Sequence, residues 1–137
     1  MSGPDPKYSI AFTGDAFGDV KALDGSVKNK LKKVLKKKLA TDPLGYGLPL
    51  RSPLNLYWKH EFAAHRVIYR IYEEKRLVVV SAVGPRKQGD AADVYKQFQA
   101  LAQTGKVAQQ IADVLGSLAP SKKKIDPSNA NFLLFTS

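Results

Sequence analysis

Four side chains in this sequence have the chemistry to act on a phosphodiester: Lys59, Arg66, Arg86 and Tyr95. All lie within Tyr57–Tyr95, a stretch whose patterning predicts three closely spaced strands and then a helix. Cutting RNA without a metal requires a 2′-hydroxyl to attack the neighbouring phosphate. A group must take that proton, another must protonate the leaving 5′-oxygen, and cations must hold the extra charge on the phosphoryl oxygens. An arginine suits the last task because its planar fork matches phosphate geometry. A tyrosine serves as a base only where nearby cations favour the phenolate. Spacing alone leaves each residue a second reading: Arg66 and Lys59 as exposed strand residues, Arg86 as a solvated loop residue, Tyr95 as a core tyrosine on the apolar face of its helix.

These residues depend on the elements that carry them. Lys7–Phe12 alternates polar and apolar, a strand signal. A short helix over Ala16–Leu23 follows, then Asp24 as N-cap of a longer helix over 25–39. Within it Val27, Leu31, Val34, Leu35 and Leu39 form one apolar stripe. The two helices predict a hairpin on one face of a sheet. Thr41–Pro53, rich in Pro and Gly, reads as a loop with a short strand near Leu48–Arg51. Strands are expected at Leu56–Phe62, His65–Tyr72 and Arg76–Val83. The first two are joined by a tight Ala63–Ala64 connection. Alternation puts Tyr57, Lys59 and Glu61 on one face of the first and Leu56, Trp58 and His60 on the other. The apolar run of the third predicts a central strand buried on both faces. Asp90 is the expected cap of a helix over 91–103, with a further amphipathic helix at about 106–118. The tail has no clear assignment, although its Phe132–Phe135 patch could dock on the core. The expected fold is α+β: a small, mostly antiparallel sheet of about four strands with an N-terminal helical hairpin and C-terminal helices.

A chain of 137 residues fits one domain, with residues 1–6 as a disordered lead-in and 105–137 as a helical extension and tail. Net charge is +10, from 22 Lys and Arg against 12 acids, which favours an anionic partner. The chain contains 0 cysteines, so disulfides and thiolate chemistry are excluded. There is no secretory pattern, and Leu77–Val83, the longest apolar run, is too short to span a bilayer. The expected place is the cytoplasm, with no membrane partner. No P-loop, dinucleotide-binding glycine pattern or nucleophile elbow is present, and no metal-ligand spacing, so no cofactor is expected.

Seven lysines lie between positions 28 and 38 and oppose the apolar stripe. Lys32, Lys33, Lys36 and Lys37 form the centre of a surface suited to phosphates without reading sequence; the alternative is a solvated helix face. No Glu is interleaved to pair with them. His60 and His65 are the only histidines. His65, next to Arg66, is a candidate substrate contact, and either histidine also reads as a partly exposed structural residue.

Arg66–Tyr69 (Arg-apolar-apolar-Tyr), Val83–Arg86 (Val-Gly-x-Arg) and Asp93-Val94-Tyr95 together resemble the RelE/ParE toxin superfamily of type II toxin–antitoxin systems, closer to the RelE branch. The likeness extends from about Tyr8 to Phe98. It implies an endoribonuclease that cleaves mRNA in the ribosomal A site, with mRNA, the ribosome and a cognate antitoxin protein as partners. Arg66 would then stabilise the scissile phosphate. Arg86 would be the general acid or leaving-group stabiliser, Tyr95 would orient or deprotonate the 2′-hydroxyl, and Lys59 would add charge. Where the RelE pattern has a basic residue two before Lys59, this chain has Tyr57, whose ring would stack on a base instead. The gyrase-directed ParE branch, with DNA gyrase as partner, is the alternative, as is a member that binds RNA or antitoxin without turnover.

Overall fold

The computed structural model describes residues 7–85 and 93–117. Its eleven segments keep the order the sequence predicts, with a π-turn and one short helix added. Strand β1 is Ser9–Phe12, helix α1 Gly14–Ala22 and helix α2 Gly25–Val34. Thr13 caps α1 by accepting from Ala16 N, and Asp24 caps α2 by accepting from Val27 N. The expected helix over 25–39 does continue past Val34, but Leu35–Leu39 widens into a π-turn in which Ala40 N donates to Leu35 O at 2.8 Å.

A single helical turn, α3 (Pro43–Tyr46), interrupts what reads as loop in the sequence. Asp42 caps it and Pro43 opens it, so its missing N–H costs nothing there. The short strand expected near Leu48–Arg51 is two residues, β2 (Leu48–Pro49). Then follow β3 (Tyr57–Phe62), β4 (His65–Tyr72) and β5 (Leu77–Pro85). Helices α4 (Val94–Gln103) and α5 (Lys106–Ser117) complete the described chain. The cap of α4 is Asp93, not Asp90, which lies outside the described residues. So do the lead-in and the Phe132–Phe135 patch.

The five strands form one sheet in the order β1-β5-β4-β3-β2. Pairing is antiparallel except between β1 and β5. β5 is central and its residues Leu77–Gly84 are all buried, as the apolar run predicts. Each face carries its own core. On one, α1, α2 and the π-turn bring Val20, Leu31, Leu35 and Leu39 against Ile10, Val67, Tyr69, Val78 and Val80. On the other, α4 and α5 bring Phe98, Val107 and Ile111 against Tyr57, Ile68, Leu77 and Val79. Ser81 is the extra residue of a bulge, since Ile68 pairs with Ala82 and Tyr69 with Val80. The bulge reverses the alternation of β5, so Gly84 falls on the α4 side.

Candidate active site

The site begins with a hairpin. β3 and β4 join through Ala63 and Ala64, with Ala63 at φ 51°. This tight turn fixes the register Phe62↔His65, Glu61↔Arg66 and Lys59↔Ile68. Strand alternation then puts Lys59, Glu61 and Arg66 on the face that α4 covers. Cover is incomplete. Phe98 reaches the lower part of this face, where it meets Tyr57 edge-on at 4.9 Å. The part nearer the turn stays open as a cleft of about 700 Å³. Its floor and walls are Lys59, Glu61 and Arg66 from the hairpin, Leu48–Arg51 from the edge strand, and Asp93, Tyr95 and Lys96 from the start of α4.

α4 comes this close because of Gly84, which pairs with Arg66 across β4 and β5. A Cβ on Gly84 would lie 3.0 Å from Val94 Cβ and 3.1 Å from its Cγ2. Only a residue without a side chain lets the first turn of α4 sit on the strand. That turn is fixed by Asp93, whose Oδ2 accepts from Tyr95 N at 3.0 Å and Lys96 N at 3.4 Å.

Arg66 lies between two carboxylates. Its Nη2 donates to Glu61 Oε2 at 3.1 Å, and its Nη1 stands 3.8 Å from Asp93 Oδ2. Its side chain is 11% exposed, that of Asp93 5% and that of Glu61 37%. Arg66 Nε is buried without a hydrogen-bond partner. The guanidinium thus meets a carboxylate at each terminal nitrogen, while its Nε–H makes no hydrogen bond. Arg51, Lys59 and Lys96 add three cations to the cleft lining, so four bases face two acids. Such a cleft attracts an anion, and its arginine is oriented before the anion arrives.

The structure brings Lys59, Arg66 and Tyr95 into one cleft, and Tyr95 is half-buried at its wall. Arg86 lies outside the described residues. Three other sets of candidates lie away from the open cleft. Tyr57 lies on the same face as Lys59, but the residue is only 9% exposed and its ring packs under α4 in the second core, so it cannot stack on a base. Burial pushes its hydroxyl above the ordinary phenol range, with Arg70 pulling the other way. His65 projects from the opposite face, its ring stacked on Phe62 at 5.8 Å, and it borders a separate hollow with Asp19 and Asp24. Lys32, Lys33, Lys36 and Lys37 sit on α2 and its π-turn, which pack on that opposite face, and none lines the cleft. Sequence reasoning missed Arg51, Lys96 and the two acids flanking Arg66. The Glu61–Arg66 pair had a signal, because a two-residue turn at Ala63–Ala64 sets those residues opposite each other. Among the described residues, no cluster of His, Asp or Glu could hold a metal ion.

Solved structures with this architecture have been determined. The chain aligns with the RelBE2 toxin–antitoxin complex of Mycobacterium tuberculosis at 29% identity and TM-score 0.56, covering 60% of this chain and 93% of that one. This is the RelE fold. The isolated RelE toxin of E. coli matches at 23% identity and TM-score 0.52, over 71% of this chain and 98% of that one. A double arginine-to-alanine mutant of E. coli RelE, solved with a peptide of the antitoxin RelB, matches at 24% identity and TM-score 0.53, over 62% of this chain and 90% of that one. No protein-family model and no curated protein sequence matches the chain. The resemblance to the RelE/ParE toxin superfamily thus extends from short motifs to the three-dimensional fold, and the RelE fold supplies the sheet face on which the cleft lies.

Proposed function

We propose that the chain is the toxin of a type II toxin–antitoxin pair, and that it blocks translation as a metal-independent, ribosome-dependent endoribonuclease. The observation that supports this most is the meeting of Lys59, Arg66 and Tyr95 on one open, cationic cleft of the RelE fold. In this reading the scissile phosphate sits against Arg66, with Lys59 adding charge from the adjacent strand. The Tyr95 hydroxyl orients the 2′-hydroxyl or accepts its proton, and Arg86 serves the leaving 5′-oxygen. These side chains fill the roles of the reaction without a bound ion. The solved neighbours include complexes with RelB. A cognate antitoxin of this chain would place acidic side chains against the same cations.

The test is mRNA cleavage on programmed ribosomes in cytosol-like buffer, run beside a DNA gyrase supercoiling assay. Expected is a cut message and unaffected supercoiling. An intact message with inhibited gyrase would replace this reading with the ParE one.

A further inference from the structure

Asp93 joins the two halves of the cleft. It is 4% exposed, yet its carboxylate does two separate things. It caps α4 through the N–H groups of Tyr95 and Lys96, and its Oδ2 stands 3.8 Å from Arg66 Nη1. The cap alone calls for no charge, because Asn, Ser and Asp serve about equally well at that position. The ion pair does call for one. With Glu61 hydrogen-bonded on the other side of the guanidinium, Asp93 brings a negative charge from the backbone that carries Tyr95 to within 3.8 Å of Arg66.

We propose that Asp93 is a positioning residue: one buried carboxylate sets the distance and angle between the Arg66 guanidinium on β4 and the Tyr95 phenol on α4. This deepens the nuclease reading of the cleft and rests on it for the activity arm of its test. Gly84 serves the same junction from beneath, because its missing side chain lets Val94, the residue between Asp93 and Tyr95, sit on β5. Asp93 touches no substrate in this account. It acts through the two groups it holds.

Two variants separate its roles. Asp93→Asn keeps a capping oxygen and removes the charge; Asp93→Ala removes both. Each full-length variant is measured for thermal midpoint, for kcat and KM of mRNA cleavage on ribosomes, and for the Arg66 Nε–H resonance by NMR. Asp93→Asn is expected to melt within about 2 °C of wild type and Asp93→Ala about 4 °C lower. Both should lose on the order of 100-fold in kcat with little change in KM, as misplaced reacting groups do. The Arg66 resonance should move in Asp93→Asn although the fold is kept. Wild-type kcat in Asp93→Asn, or an unmoved Arg66 resonance, overturns the proposal. If wild-type protein cuts no mRNA, the nuclease reading fails, and the Arg66 resonance alone then decides whether Asp93 holds that arginine.

Discussion

The two faces of the sheet have the same strands behind them and opposite characters. The face under α1 and α2 is closed. Its strand residues meet Leu31, Val34, Leu35 and Leu39, and the lysines of α2 and the π-turn point outward from a finished core. The face under α4 is closed only as far as Phe98. Beyond it the hairpin leaves Lys59, Glu61 and Arg66 to line a cleft. Charge density therefore does not locate the site. The richer cluster of cations is on the finished face, whereas the cleft has fewer cations held by acids and next to a phenol. A charged surface gives attraction, but chemistry also needs groups fixed relative to one another.

The comparison can be broken at several points. The largest effect is expected from Arg66→Ala. It removes the cleft's oriented donor and takes from the buried Asp93 carboxylate the cation 3.8 Å away. Cleavage on ribosomes should fall on the order of 1,000-fold, and denaturant titration should show a loss of about 2 kcal/mol. Arg66→Lys restores charge without the fork and should recover stability more than activity.

Next is Gly84→Ala. The new methyl meets Val94 at 3.0 Å, and α4 must move off β5 to relieve it. A stability loss of about 1–2 kcal/mol is expected by chemical denaturation. Cleavage should fall about tenfold, because Tyr95 moves with the helix.

Tyr69→Phe acts on the closed face. Its fully buried hydroxyl donates to Pro43 O at 2.8 Å, anchoring α3 over the sheet. Removal leaves that carbonyl without its partner and should cost about 1 kcal/mol in thermal melts. Cleavage well below the melting temperature should stay at the wild-type rate.

The smallest effect is expected from Asp19→Asn. Burial pushes the Asp19 carboxyl above its ordinary 3.8, against the bond it accepts from Val83 N at 3.0 Å. A raised carboxyl favours the folded state most when protonated. Its contribution is present below the ordinary value and lost as pH rises through the folded one. The amide keeps an acceptor for Val83 and does not ionise. Melting curves from pH 3 to 7 should then show a shallower relative decline for the variant.

The sequence showed much of this where periodicity is strong. His65–Tyr72 is the strand alternation predicts, and the run from Leu77 is the central strand it implies. Asp24 caps the helix it was expected to cap. Short elements were harder to see. α3 is one turn, too short for any period, and only Asp42 followed by Pro43 marks it. Two aspartates, Asp90 and Asp93, precede the helix at Val94, and the cap is the one whose carboxylate also meets Arg66, a tertiary reason invisible in a local pattern. Tyr57 shows the same limit. Alternation assigned its face, but not the helix that covers it, so a ring expected in the cleft lies beneath Phe98. The basic stripe of α2 was legible as a stripe. That it occupies the opposite face from Lys59 depends on where the helical hairpin packs, which is a property of the fold.

The most direct test is a single-turnover cleavage assay on programmed ribosomes at saturating protein, comparing Tyr95→Phe with a variant in which Lys32, Lys33, Lys36 and Lys37 are all Gln. The account predicts that loss of one hydroxyl from the cleft slows the cut about 100-fold, while four charges removed from the closed face leave the rate within about threefold of wild type and mainly weaken binding at low salt, with a shallower salt dependence. A Tyr95→Phe protein that cuts at the wild-type rate, beside a lysine variant that cannot cut, would contradict it.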